Sequence, residues 1–251
     1  MNKFLEHIAG LKNEFSGECF TESGGATVFH PGSADEAARF FAAADRFGQP
    51  LYISGRGSNM PPDKDALRGK IIVATDRLNR PVKIVEQDLY VTVGAGYPLA
   101  DINRELEPHG LFVPHADLPY AGTAGGAAAV NLAAELNGHD LPLKKYLIKA
   151  DIVTPRGEII KPGSVCFKSV SGYDIVKIFA SSWGLLGLLV DIYLRVIPAS
   201  ARGEYAGMKM KAVNRDNFLD GLKVSEREAD TVYAGKIKDK FDPNGILPLL
   251  P

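Results

Sequence analysis

The sequence predicts an α+β chain of two subdomains, and three observations carry that prediction. Residues 1–76 read as short strands around one strong helix. Residues 77–200 read as mostly strands with two helices, and residues 201–251 as a short C-terminal extension. Three glycine-rich turns, at Ser54–Asn59, Ala121–Gly126 and Trp183–Gly187, each lie against an apolar or small-residue run. Glycine there brings main-chain N–H groups close to a ligand, so three such turns imply a chain wrapped around an extended, phosphate-bearing cofactor.

The elements follow in order. Phe4, Leu5, Ile8, Leu11 and Phe15 fall at helical spacing and predict an amphipathic helix over 3–15. A strand at 26–30 precedes Ser33, which with Glu36 three residues on makes a capping-box pattern for a helix running to Phe47 and stopping at Gly48. Leu51–Ile53 is the next strand and feeds the first glycine turn, giving a βαβ-like unit over 26–54. Ile71–Ala74 is a buried strand; Val82–Val85 and Leu89–Val93 are two more, joined by Glu86-Gln87-Asp88. A helix over Leu99–His109 ends at Gly110, and the Gly/Ala-rich run 122–135 permits tight backbone approach. Ile148–Thr154 and Glu158–Lys161 flank the hairpin signal Pro155-Arg156-Gly157. Tyr173–Phe179 reads as helix, Leu188–Ile197 as a strand ended by Pro198, and Asp216–Val224 as one further helix. The chain closes on a helix end followed by the turn Asp242-Pro243-Asn244-Gly245.

Composition narrows the function classes. Hydrophobic residues at 45% and charged residues at 24% describe an ordinary globular protein. A formal net charge of −1 argues against a nucleic-acid or membrane-surface binder, and the most apolar stretch, Trp183–Val190, is too short to insert in a membrane. Two cysteines, Cys19 and Cys166, have no CxxC spacing, which excludes a self-contained zinc or iron–sulfur site and fits a reducing compartment. No signal-peptide core follows Met1, so the expected location is cytoplasmic.

Each candidate motif has two readings. Gly94-Ala95-Gly96 follows a strand and precedes a helix, yet the third dinucleotide glycine is absent because position 99 is leucine; it reads as a plain connection. Ser54–Asn59 is a pyrophosphate nest with Arg56 for charge, or a polar surface turn. Gly122–Gly126 with Asn131 offers a second set of main-chain donors, or close packing of a helix on a sheet. Ser171-Gly172-Tyr173-Asp174 reads locally as a helix start. His115 reads as a solvated loop histidine, with a general base or flavin tether as the alternative. Cys166 reads as a small buried residue, and no GxSxG elbow is present.

Taken in order, these segments resemble the FAD-linked oxidase family, whose FAD domain is called the PCMH type, over about residues 25–198. Ile53-Ser54-Gly55-Arg56-Gly57-Ser58-Asn59, with Met60 after it, is similar to the family's first pyrophosphate loop. Gly122-Thr123-Ala124-Gly125-Gly126 with Asn131 is similar to its second loop. The run Lys168–Asp174, including Ser171, Gly172 and Tyr173, resembles the closing signature together with Trp183-Gly184-Leu185-Leu186-Gly187-Leu188-Leu189. Its Leu188–Val190 backbone would meet the adenine end. Phe241–Leu247 resembles the C-terminal motif that returns towards the flavin. The Val-Ser-Gly-Tyr-Asp run and Trp183 are most similar to the small FAD subunits of the glycolate-oxidase branch.

The resemblance implies a PCMH-type fold, FAD as cofactor, and FAD-dependent oxidoreductase activity on 2-hydroxy acids. No histidine or cysteine lies in the first loop, which implies non-covalent FAD. Family members carry a sizeable cap domain before the C-terminal motif, whereas only about 40 residues stand there in this chain, too few for a separate core. The expectation is therefore a subunit of a hetero-oligomer that relays electrons through FAD, with a catalytic flavoprotein subunit and an iron–sulfur subunit as partners. Two alternatives stay open: a stand-alone small oxidoreductase with His115, Tyr173 or Trp183 at its substrate site, and a cofactor-free scaffold subunit.

Overall fold

The computed structural model describes residues 19–23, 25–57, 64–165, 175–213 and 228–248, with positions 4, 6, 7 and 15 of the N-terminal segment. Of that segment, Phe4, Glu6 and His7 are helical. The sequence-derived helix over 216–224 and residue Cys166 lie outside the described residues.

The first sheet has strand order β1-β2-β4-β3: β1 (Phe20–Ser23), β2 (Ala26–Phe29), β3 (Leu51–Ser54) and β4 (Ile71–Ala74). β4 runs parallel to both β2 and β3 and lies between them, so the βαβ unit read from the sequence holds with one strand inserted. Its crossover helix is α1 (Ala34–Phe47). Ser33 Oγ accepts the Glu36 N–H at 3.1 Å, while Glu36 Oε2 accepts the Gly32 N–H at 2.7 Å, one residue earlier than an ideal capping box. Gly48 ends α1 in the left-handed conformation with φ of 61°. One face of α1 buries Ala37, Phe40, Phe41 and Ala44, and Phe40 stacks on Phe29 with ring centroids 3.8 Å apart.

The second sheet is antiparallel, in the order β11-β10-β12-β6-β5. Its strands are β5 (Lys83–Val85), β6 (Tyr90–Gly94), β10 (Leu147–Val153), β11 (Ile159–Ile160) and β12 (Leu188–Arg195). Between β6 and β10 come α2 (Ile102–Leu106), β7 (Leu111–Phe112), α3 (Ala124–Ala129), β8 (Ala133–Leu136) and β9 (His139–Pro142). α4 (Val176–Phe179) precedes β12; β13 (Ile197–Pro198), β14 (Lys209–Met210) and α5 (Glu228–Phe241) follow it.

Several expectations are corrected. The continuous helix over 99–109 is in fact α2 flanked by two 3-10 turns, because Pro108 cannot extend the α-helical hydrogen-bond ladder. The strand beginning at Leu188 ends at Arg195; Ile197 and Pro198 leave the sheet to pair with β7. The sequence reading also passed over the hairpin β8–β9, although Asn137-Gly138 is a strong turn signal; both residues take positive φ, 52° and 78°.

The two sheets share a core. Val153, Leu188 and Val190 of the second sheet join Phe29, Phe40, Phe41, Leu51 and Val73 of the first, so α1 packs between them. The opposite face of the second sheet buries Val91, Val93, Ile152, Ile192 and Leu194 against α2, α3 and α4. The segment after α5 returns to the first core. Ile246 and Leu247 are buried there, and the Leu51 N–H donates to the Ile246 carbonyl at 2.7 Å. Buried Asp242 organises this return, accepting the N–H groups of Ile246 and Leu247 at 2.9 Å each and a bond from Lys238. Asp242→Ala strands two buried N–H groups and removes the counter-charge of the half-buried Lys238 ammonium, so chemical denaturation is expected to show a loss of about 2–4 kcal/mol.

Candidate functional site

All three glycine turns open on one cleft. Ser54, Gly55, Arg56 and Gly57 supply its first wall, Thr123, Gly125 and Gly126 its second, and Gly184, Gly187, Leu188 and Leu189 its third. The turns also touch one another. A Cβ on Gly55 would lie 2.9 Å from Thr123 Oγ1, and one on Gly184 would lie 3.3 Å from Ile53 Cβ. Trp183 N–H donates to the Ala129 carbonyl at 3.0 Å, tying the third turn to α3. Ser58, Asn59, Met60, Ser171, Gly172 and Tyr173 lie outside the described residues.

The walls differ in what they offer a ligand. In the first, the N–H groups of Gly55, Arg56 and Gly57 have no hydrogen-bond partner among the described residues. Consecutive free N–H groups form an anion-binding concavity. Arg56 is the one side chain of fixed charge among the described lining residues, and it is exposed. The described lining thus carries one positive charge and no carboxylate.

The second wall is a correction to the donor reading of Gly122–Gly126. Ala124 N–H donates to Tyr97 O, Gly125 N–H to Ala95 O, and Gly126 N–H to the Thr123 hydroxyl, at 2.8, 2.8 and 3.0 Å. These three donors are satisfied inside the protein. Gly125 is required for packing instead, since a Cβ there would lie 2.6 Å from Ala95 Cβ. Gly122 and Asn131 do not line the cleft. A Cβ on Gly122 would strike the Tyr120 ring, and Asn131 Oδ1 accepts the Lys144 N–H at 2.9 Å.

The turn Gly94-Ala95-Gly96 behaves as the sequence predicts. Its three N–H groups donate to Arg80 O, Val190 O and Leu78 O, so none is left for a phosphate.

The third wall is strained. Ser181 and Trp183 take φ of 73° and 53°, a region unfavourable for residues with a Cβ, and Gly184 follows at 79°.

Sequence reasoning missed Thr75. It ends the run of β4, and its N–H donates to Ser54 O at 3.0 Å while its carbonyl accepts the Leu78 N–H at 2.9 Å. Thr75 lines the cleft, and its Oγ1 is buried with no partner among the described residues. A buried hydroxyl without a partner costs free energy, and a ligand oxygen in the cleft would satisfy it. Tyr52, Tyr120, Ala129, Val130 and Trp183 also line the cleft and were not expected site residues, apart from Trp183 in one alternative.

His115 is neither solvated nor in the cleft. It is fully buried, with Nε2 donating to the Leu141 carbonyl at 2.8 Å and its ring edge-on to Tyr146. Because a carbonyl only accepts, Nε2 carries the proton and Nδ1 remains an acceptor without a partner among the described residues. Burial pulls its pKa down to about 4. A general-base or tether role is thereby set aside.

The sign of the His115 effect follows from proton counting. Between about pH 6.5 and about 4 the unfolded chain binds a proton that the folded chain refuses. His115 thus contributes stability that is complete above about pH 6.5 and is lost as pH falls through its folded value, up to about 3 kcal/mol in total. Replacing it by glutamine, which keeps a donor for Leu141 O, is expected to flatten the stability–pH curve between pH 7 and 4, as read by urea unfolding.

Comparisons with known proteins bear on this cleft. The family model described as FAD binding domain matches residues 26–163, more than half of the chain. Glycolate oxidase subunit GlcD of Bacillus subtilis (strain 168) is 28% identical over 173 residues, covering 68% of this chain and 37% of that protein. Glycolate oxidase subunit GlcE of Escherichia coli (strain K12) is 31% identical over 114 residues, covering 44% of this chain and 32% of that protein. This chain therefore spans well under half the length of either relative. Among solved structures, 4-ethylphenol oxidase from Gulosibacter chungangensis superposes with a TM-score of 0.63 at 17% identity, covering 78% of this chain and 43% of that one. That likeness shows the fold, which is PCMH-type.

The described residues fit FAD, whose pyrophosphate is an anion rich in acceptors: N–H groups without a partner among the described residues and one arginine line the same space, and Thr75, whose hydroxyl has no partner among them either, lines it too. Thr75→Val keeps the side-chain shape but removes that hydroxyl. It is expected to leave the apoprotein as stable or more so, while weakening FAD binding about tenfold in a fluorescence titration. Equal FAD affinity in the variant would mean that the hydroxyl has no partner in the bound state. Matched over more than half of its length, and built around a cleft that suits the cofactor, this chain belongs to the FAD binding domain family.

Proposed function

We propose that this chain is the FAD-binding flavoprotein subunit of a hetero-oligomeric 2-hydroxy-acid dehydrogenase of the glycolate or lactate type, acting in the cytoplasm. The observation that carries the reading is the convergence of the three glycine turns on one cleft whose described lining carries a positive charge and no carboxylate. Subdomains over 1–76 and 77–200, each centred on one sheet, would meet at this cleft, with 201–251 returning to the first core. The relatives named as glycolate oxidase subunits support the substrate class and a multi-subunit assembly.

In this reading the N–H groups of Gly55, Arg56 and Gly57 hold the pyrophosphate, with Ser58, Asn59 and Met60 continuing the loop. Arg56 compensates its charge and Thr75 Oγ1 donates to one of its oxygens. Thr123, Gly125 and Gly126 give a wall without protruding side chains, which lets the cofactor lie close to the sheet. Gly184, Gly187, Leu188 and Leu189 face the adenine end, and Ser171, Gly172 and Tyr173 belong to the same closing segment. Bound there, FAD supplies the two-electron chemistry, and the protein supplies orientation and electrostatics. Attachment is non-covalent, which the absence of histidine and cysteine from the described lining supports.

A partner is part of this reading. Beside Tyr52 and Tyr120 the described lining holds no carboxylate, histidine or lysine, and in this reading a catalytic flavoprotein subunit supplies the group that takes protons from a hydroxy acid. An iron–sulfur subunit would accept the electrons in turn.

Visible absorption of the purified chain tests the first half of the proposal. The expected result is a flavin spectrum, or its appearance when FAD is added to apoprotein. A colourless chain that takes up no FAD overturns it. Co-purification from the native cells tests the second half: a larger complex containing iron is expected, whereas a lone monomer oxidising glycolate or lactate sinks the subunit assignment.

A further inference from the structure

The third wall of the cleft is held by one residue outside it. Ser181, Trp183, Gly184 and Gly187 all take positive φ, at 73°, 53°, 79° and 154°. Two of them carry a Cβ, so the turn is costly and persists only if its surroundings fix it. From one side, Trp183 N–H is bonded to Ala129 O. From the other side comes Lys238, on α5. Its ammonium donates to Leu185 O at 2.7 Å, in the middle of the turn, to Leu247 O at 2.8 Å, and to Asp242 Oδ2. An ammonium has three donors, and here each is directed to a different segment.

The electrostatics agree with a built clamp. Asp242 is buried, and its carboxylate also accepts the N–H groups of Ile246 and Leu247, so bonds other than that from Lys238 hold it in place. Burial pulls the Lys238 pKa below the usual lysine value, opposed by the hydrogen bond and charge of Asp242. The Phe179–Phe241 ring contact, edge-on at 5.2 Å between centroids, seats α5 against α4 beside the turn.

We infer that Lys238 is a positioning residue for the cofactor cleft, holding the Trp183–Gly187 turn in its strained, FAD-accepting shape through the Leu185 carbonyl. Its role rests on the FAD reading of the cleft, but the clamp itself does not. α5 belongs to the C-terminal extension, so that extension acts as a strut behind the cleft.

The chain contains a single tryptophan, and it lies in this turn. Its emission therefore reports the turn directly, with no cofactor present. Lys238→Met apoprotein is expected to show red-shifted Trp183 emission and about twofold greater acrylamide quenching, together with FAD binding weakened about tenfold, the loss of one charge-assisted bond. Lys238→Met combined with Asp242→Asn removes the uncompensated carboxylate and serves if the single variant does not fold. Val28→Ala, in the separate cluster of Val28, Leu67 and Ile72 that holds no residue of the turn, controls for general destabilisation and should leave both signals at wild-type values. A folded Lys238 variant with wild-type emission and quenching overturns the inference. A shifted emission in a protein whose wild type binds no FAD overturns the FAD reading and leaves the clamp standing.

Discussion

Main chain packed directly on main chain is the constraint on which the rest of this structure depends. At the seam between the sheets, a Cβ on Gly96 would lie 1.9 Å from the Thr75 carbonyl oxygen, and one on Gly94 would lie 2.3 Å from that of Leu78. Any side chain there would force the sheets apart. With them in register, Thr75 faces the cleft, Ala95 receives Gly125, and the first glycine turn meets Thr123. The cleft is therefore shaped chiefly by backbone, and its donors are aligned before a ligand arrives. Such preorganisation avoids the entropy of ordering long side chains on binding.

The walls divide the work. One offers a cation and N–H groups without a partner among the described residues, one offers a flat surface where the N–H groups of Ala124, Gly125 and Gly126 are internally paired, and one is a strained turn braced from behind. The first carries the cation of the described lining. An elongated ligand with a central anion and two less polar ends matches that distribution better than a uniformly charged one.

Much of this was legible in the sequence, and the failures have physical reasons. Ser33 and Gly48 mark the ends of α1 because capping is local chemistry. The glycine turns were readable because backbone approach demands a specific residue type. Which purpose each glycine serves was not readable, since Gly125 against Ala95 and a glycine against a phosphate look alike in one dimension. Thr75 was invisible because its meaning arises from an unpaired atom, which only the packed structure defines. His115 was misplaced because a Pro-His-Ala-Asp run reads as an exposed loop, whereas Leu141, twenty-six positions on, folds over it. Asn137-Gly138 was legible from local rules and was simply passed over.

The return of Ile246 and Leu247 to the first core has a consequence for the order of assembly. Leu51 bonds to Ile246 across nearly the whole chain, and that core also needs Val153, Leu188 and Val190. Contacts so distant in sequence form slowly, because a large loop must close before they repay its entropy. During synthesis, β1 to β4 emerge well before the segment carrying Ile246 and Leu247 and wait for it to cover them. Until that later segment is made, the phenylalanine-rich interior beside the first sheet is open to chaperones and to misassociation.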